Sequence, residues 1–230
     1  MSLAARRGLL PAGAERPALI SHAGGNAIEL ARTAEGELAD YLEVDLWLHK
    51  GRFEARHERR TFGSRLMFEK WYLAWAPREP FGLTDLLRAT DPGTGIFLDL
   101  KNGGEPAAQL IRAALDASPS RRMVASSQLW GTLRAIERAA PEVDLFYSID
   151  VAAKLDLFLS VAQRDVRPRG VSCRATLLDA DTIAALHARD LLVVAWTVDD
   201  LSRAAELAAM GVDGITTHRV AAIRERLASG

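Results

Sequence analysis

Three carboxylates and a lysine stand where β-strands would bring them together. In the run Tyr41-Leu42-Glu43-Val44-Asp45-Leu46-Trp47-Leu48, four aliphatic residues alternate with Tyr41, Glu43, Asp45 and Trp47. Side chains two apart on a strand share a face. One face is therefore wholly aliphatic, and the other carries two acids. The run Phe97-Leu98-Asp99-Leu100-Lys101 repeats the pattern, with Asp99 and Lys101 opposite Leu98 and Leu100. Buried like charges are costly unless a cation or a proton compensates them. A hard divalent metal, Mg²⁺ or Ca²⁺, is the compensator that carboxylate oxygens suit. Lys101 at a strand end either holds a phosphate oxygen or simply pairs with Asp99.

Two histidines have suitable neighbours. His22 closes Ile20-Ser21-His22-Ala23-Gly24-Gly25-Asn26, where the two glycines let backbone approach a ligand closely. His57 ends the extended-looking run 52–58. Imidazole titrates near neutral pH, so two histidines flanking a metal make an acid–base pair. His49 abuts a turn, His187 falls in a helical stretch and His218 opens the last helix, so these three stay outside the expected chemistry.

A scaffold of alternating elements must position these groups. Short apolar runs at 18–23, 41–49, 95–101, 122–127, 144–150, 170–175, 191–196 and 213–217 read as strands. Ala-rich amphipathic runs at 27–38, 83–90, 105–117, 130–139, 151–163, 179–189, 200–210 and 219–228 read as helices. Eight strands alternating with helices predict a parallel sheet, and eight is the number that closes into a (β/α)₈ TIM barrel. An open doubly wound sheet would alternate too, but no GxGxxG follows the first strand. Catalytic residues of such barrels sit at the C-terminal ends of strands, where His22 and Lys101 fall, and His57 ends the extended return after the second strand. One segment, 50–82, departs from the rhythm and is rich in aromatics, including Phe62, Phe68, Trp71, Tyr72 and Trp75. It either covers the site or packs as a small surface subdomain. The chain of 230 residues reads as one domain.

Bulk properties narrow the function. A net charge of −1 gives no basic excess for nucleic acid. The pairs Arg59–Arg60 and Arg121–Arg122 read as solvated surface. A single cysteine, Cys173, allows no internal disulfide and no zinc cluster. No apolar run approaches the roughly 20 residues of a membrane span, and the N-terminal stretch is a poor signal peptide. The expectation is a soluble cytoplasmic protein.

The ordered set of motifs resembles the glycerophosphodiester phosphodiesterase family. It comprises HAGG at 22–25, EVD at 43–45, RHE at 56–58, FGLTDLLRA at 81–89, LDLK at 98–101, AWTVDD at 195–200 and GVDGITT at 211–217. Each motif alone is weak, but their order along nearly the whole chain is specific. The resemblance implies a TIM barrel and a small-molecule phosphodiester substrate, cleaved with the help of Mg²⁺ or Ca²⁺ to an alcohol and a phosphomonoester. It further implies Glu43, Asp45 and Asp99 as metal ligands and His22 and His57 as the catalytic histidines. Lys101 would contact phosphate, and Trp196 would wall the substrate pocket.

Several positions depart from the family pattern. Ala23 stands where the family has an arginine that holds phosphate, so HAG replaces HRG. Asp99 replaces the usual glutamate, and Glu58 the usual aspartate. Arg56, Arg59 and Arg174 are the candidates to replace the missing arginine, and Arg174 near the end of the sixth expected strand is best aimed. The short first loop with Asn26 is also similar to the sphingomyelinase D-like phospholipases, which share the barrel and form a cyclic phosphate but are secreted and disulfide-bearing. A barrel that only binds a phosphorylated ligand is the third reading, motivated by Ala23.

Overall fold

The computed structural model describes residues 9–10, 14–61, 65–69, 72–161 and 168–229. Strand β1 (Ala18–Ser21) and helix α1 (Ile28–Gly36) lead to β2 (Tyr41–His49), which turns back into β3 (Arg52–Ala55). Strands β4 (Arg59–Arg60), β5 (Leu66–Glu69) and β6 (Tyr72–Trp75) follow. Strand–helix alternation then resumes with α2 (Leu83–Ala89), β7 (Gly95–Leu100), α3 (Glu105–Ala117), β8 (Met123–Ser127), α4 (Trp130–Ala139) and β9 (Asp144–Ile149). It ends with α5 (Ala152–Val161), β10 (Gly170–Arg174), α6 (Ala180–His187), β11 (Leu192–Trp196), α7 (Leu201–Ala209), β12 (Gly214–Thr217) and α8 (Val220–Ala228).

β1, β2 and β7 to β12 pair in parallel in chain order. β1 pairs with β12 on one side and β2 on the other, so the eight-stranded sheet closes on itself. That closure decides between the barrel and the open sheet. The expected helical run 151–163 extends beyond the described residues, as do Phe62 and Trp71.

Local sequence explains the helices that coat the barrel. α3 starts with a proline in its first turn, where a missing N–H costs nothing. Its buried residues Ala107, Ala108, Ile111 and Leu115 lie on one stripe. Asp179 caps α6 by accepting from the Thr182 N–H, and Asp200 caps α7 by accepting from the Arg203 N–H.

Alternation along the strands builds two apolar layers. Leu42, Val44, Leu46, Leu98, Val171, Cys173, Val193 and Ile215 pack against the helices. Ile20, Tyr41, Phe97, Val124, Phe146, Leu192 and Val194 fill the barrel interior with Leu9. Two glycines make that filling possible. A Cβ on Gly95 would lie 2.4 Å from the Tyr41 ring, and one on Gly170 would lie 2.6 Å from the Phe146 ring.

One arginine of each pair, Arg60 and Arg121, departs from the expectation of solvated surface. Arg121 is buried and donates to the carbonyls of Leu87, Thr90 and Thr94 and, closely, to that of Asp91. It thereby satisfies carbonyls at the C-terminal end of α2, which have no helical partner. Arg122 lies over the Tyr41 ring. Arg60 is drawn in by Glu54, a carboxylate only 1% exposed that it shares with Arg56. Arg59 and Arg122 are exposed. For Arg60 and Arg121 an inner acceptor outweighs solvation.

The excursion is a small antiparallel sheet, β4-β5-β6, attached to the β2-β3 ribbon. Phe68 and Trp75 are exposed on it. Among the described residues, none from 59 to 75 lines the catalytic-end cavity, which favours the surface-subdomain reading.

Candidate active site

The acids sit where strand geometry puts them. Tyr41, Glu43 and Asp45 climb the inner face of β2 from the apolar floor towards the C-terminal mouth, while Phe97 and Asp99 climb β7. The two strands pair with Asp45 opposite Asp99. One ligand oxygen from each of Glu43, Asp45 and Asp99 lies within 4.8 Å of the others. Across a Ca²⁺ or Mg²⁺ coordination sphere, opposite oxygens stand about 4–5 Å apart. Three hard oxygen donors at that spacing therefore fit such a cation.

Each acid has a separate anchor. Ala23 adopts a left-handed φ of 53°, and its N–H donates to Glu43 Oε2 at 2.6 Å. Asn26 Nδ2 donates to Asp45 Oδ2 at 2.7 Å, and Asn26 Oδ1 accepts from the Asp45 N–H. Ser126 Oγ donates to Asp99 Oδ1. Lys101 Nζ lies between the strands, 2.6 Å from Asp45 Oδ1 and 2.5 Å from Asp99 Oδ2. Burial, then the nearby Asp45 and Asp99, push the Glu43 carboxyl well above the usual range. Burial acts on Asp45 in the same direction, but Lys101 and Asn26 outweigh it and hold Asp45 below its usual value.

His22 and His57 line the same cavity, which holds about 710 Å³. His22 follows β1, and its Nδ1 lies 3.2 Å from Thr197 Oγ1. Burial, then the neighbouring His218, lower its pKa to about 4. His57 follows β3 and is exposed at the rim. Trp196 and Arg174 end β11 and β10 and complete the wall.

The His22 shift has a testable consequence. An unfolded histidine titrates near 6.5, so below that pH the unfolded chain binds a proton that the native chain refuses. The associated stability is present above pH 6.5 and is lost as the pH falls towards 4. It amounts to about 3 kcal/mol. Denaturant titrations at both ends of this window should show wild type losing about that much more stability than His22→Gln. Equal losses would mean that His22 is not held neutral.

A family model described as "Glycerophosphoryl diester phosphodiesterase family" matches residues 101–222, more than half of the chain. The chain belongs to this family. It is thus a phosphoric diester hydrolase, built as a glycerophosphodiester phosphodiesterase barrel. Solved structures agree on the fold. A glycerophosphodiester phosphodiesterase from Parabacteroides distasonis superposes with a TM-score of 0.76 at 19% identity, covering 94% of this chain and 99% of that one. An Oleispira antarctica phosphodiesterase in complex with the product sn-glycerol-3-phosphate gives 0.75 at 16% identity, covering 93% and 97%. The corresponding enzyme from Agrobacterium tumefaciens gives 0.68 at 17%, covering 91% and 99%. No curated protein matches the chain.

All eight residues singled out in the sequence therefore meet at one end of this glycerophosphodiester phosphodiesterase barrel. Seven of them line the cavity, and Asp45 lies beneath Lys101. Of the three candidate replacement arginines, only Arg174 lines it. Arg56 is buried on Glu54 and stacks over Trp47, and Arg59 lies on β4. The glycines of HAGG serve packing rather than ligand approach. A Cβ on Gly24 would meet the Ser21 side chain at 2.5 Å, and one on Gly25 would meet Val44 at 2.7 Å.

Sequence reasoning passed over a ring of small hydroxyls. Ser126, Ser148, Ser172 and Thr216 line the cavity above the floor formed by Val124, Phe146 and their neighbours. Two-residue alternation along each strand was the available signal. Asn26, noted only in the short first loop, anchors Asp45, and His218, set aside as the start of a helix, lies against His22. Among the described residues no helix is long and apolar enough to cross a membrane.

Proposed function

We propose that the protein is a divalent-cation-dependent phosphodiesterase that cleaves glycerophosphodiesters, or related lipid-derived diesters, to an alcohol and a phosphomonoester. The carrying observation is the convergence of three carboxylate oxygens within 4.8 Å of one another beside a cavity lined by two histidines. Glu43, Asp45 and Asp99 hold the cation, Mg²⁺ or Ca²⁺. When bound, such a cation offsets the charge of the phosphodiester oxygens.

The remaining roles belong to the chain's own residues. Lys101 and Arg174 grip the phosphate, Arg174 taking over from the arginine that Ala23 replaces. His22, neutral near pH 7 and tied to Thr197 through Nδ1, accepts a proton from the attacking water at Nε2. His57 at the rim donates a proton to the leaving alkoxide. Trp196 walls the leaving-group side. The sn-glycerol-3-phosphate held by the Oleispira enzyme supports a glycerophosphoryl group as the part retained.

The test is turnover of a panel of glycerophosphodiesters and lysophospholipids with and without Mg²⁺ and Ca²⁺, with products followed by ³¹P NMR. Cation-dependent release of a phosphomonoester is expected. A cyclic phosphate would favour the sphingomyelinase D-like reaction, and no turnover in any arm would sink the proposal. In the same assay Arg174→Ala should raise KM about tenfold or more, as loss of a charge-assisted phosphate contact would. Unchanged kinetics on every diester would remove Arg174 from the site.

A further inference from the structure

Outside the proposed reaction lies a second histidine whose setting is as constructed as that of His22. His218 follows β12, and its ring centroid is 4.4 Å from that of His22 at an interplanar angle of 42°. Asp199 grips the segment from the far side. Its Oδ2 lies 2.8 Å from His218 Nδ1. Its Oδ1 accepts from the His218 N–H and from Thr217 Oγ1, each at 2.9 Å. The Thr217 carbonyl in turn accepts from the His22 N–H at 2.9 Å. One carboxylate therefore ties down the backbone that holds His22 and the ring that leans on it.

We propose that His218, oriented by Asp199, is a positioning residue for His22. Among the described residues, the Thr197 hydroxyl at Nδ1 and the His218 ring beside it restrain the His22 ring. A single 3.2 Å hydrogen bond at Nδ1 still lets the imidazole tilt through small coupled changes in χ1 and χ2. The adjacent ring removes that freedom and keeps Nε2 aimed where a proton is to be taken up. His218 does not line the cavity and its side chain is about half exposed, so it acts on His22 rather than on substrate. The geometry also sets what a substitute must supply. It must be a flat ring of similar size, because the contact with His22 is ring to ring. The Asp199 bond orients that ring but is not itself the contact.

This inference rests on the proposed catalytic role of His22, and two readouts separate the two claims. In kinetics, His218→Asn keeps a polar group for Asp199 but loses the ring. It should lower kcat about ten- to a hundredfold with KM nearly unchanged, the cost of a misaimed group. His218→Phe restores the ring and should recover most of kcat. In NMR, the His22 ring resonances should broaden or split in His218→Asn and return to a single set in His218→Phe, whether or not substrate is turned over. The proposal is overturned if His22 resonances are the same in wild type and His218→Asn. It is equally overturned if His218→Asn turns over at the wild-type rate while His22→Ala is inactive. If His22→Ala itself turns over normally, the catalytic assignment of His22 falls, and the ring resonances alone decide whether His218 positions it.

Discussion

Glu43→Gln should lower kcat/KM by roughly a hundred- to a thousandfold while leaving the metal-free protein at least as stable as wild type. Glu43 is only 5% exposed, and the single hydrogen bond from Ala23 does little against burial and two neighbouring acids. A glutamine of the same shape can still accept from Ala23 and carries no charge to desolvate. The pH dependence follows from the sign of the shift. A carboxyl whose folded pKa lies above its unfolded value favours the folded state at low pH, and that advantage is lost as the pH rises from the unfolded pKa towards the folded one. Over that range the metal-free wild type should lose stability relative to the variant. Adding Mg²⁺ or Ca²⁺ should reverse the order, because a ligand at a hundred times its Kd stabilises by about 2.7 kcal/mol and the variant lacks a third of the donor set. Thermal melts with and without cation check both halves. A variant that is inactive yet stabilised by cation as much as wild type would detach Glu43 from the metal.

Lys101→Met should cost about 3–5 kcal/mol of stability in the absence of divalent cation. The lysine ammonium is the group that reaches both Asp45 and Asp99, and Asp45 is 1% exposed. Removing one partner of a buried pair leaves a charge that water cannot reach. Asn26 still donates to Asp45, but a neutral amide replaces little of an ammonium. Saturating Ca²⁺ should return much of the lost stability, since a cation between the carboxylates supplies the missing charge. It should not return activity, because the phosphate contact proposed for Lys101 is gone. Denaturant titrations of wild type and variant with and without Ca²⁺ give the result. A loss below about 1 kcal/mol would mean that solvent screens these acids as it does a surface pair.

The two expectations oppose each other in an instructive way. One site contains a carboxylate whose charge works against folding and a lysine whose charge supports it, within the same pair of strands. Glu43 lies one inward step below Asp45 and out of register with Asp99, which faces Asp45 directly. Lys101 bridges that facing pair and not Glu43. A hard cation held by all three oxygens would remove the imbalance, and this is the physical case for reading the cluster as a binding site rather than as structural ion pairing.

Much of this was legible in the chain itself. Alternation in 41–48 and 97–101 put Glu43, Asp45, Asp99 and Lys101 on inward faces because a strand's side chains alternate for local steric reasons that need no partner. Eight strand runs and eight helical runs gave the elements, and the order of the motifs gave the family. Other features needed the closed barrel. Arg121 looked like surface because nothing in its neighbours reveals the helix end that it caps. Arg174 was the best aimed of the candidates for the missing arginine because of its place at a strand end, but only the fold shows that Glu54 claims Arg56. His218 looked like the start of a helix, and only closure of β12 on β1 sets it against His22. The sequence by itself determined which faces carry acids and which carry aliphatics. The tertiary structure decided which acids, rings and cations meet, because strand register and barrel closure depend on contacts between residues far apart in the chain, and local pattern carries no record of those.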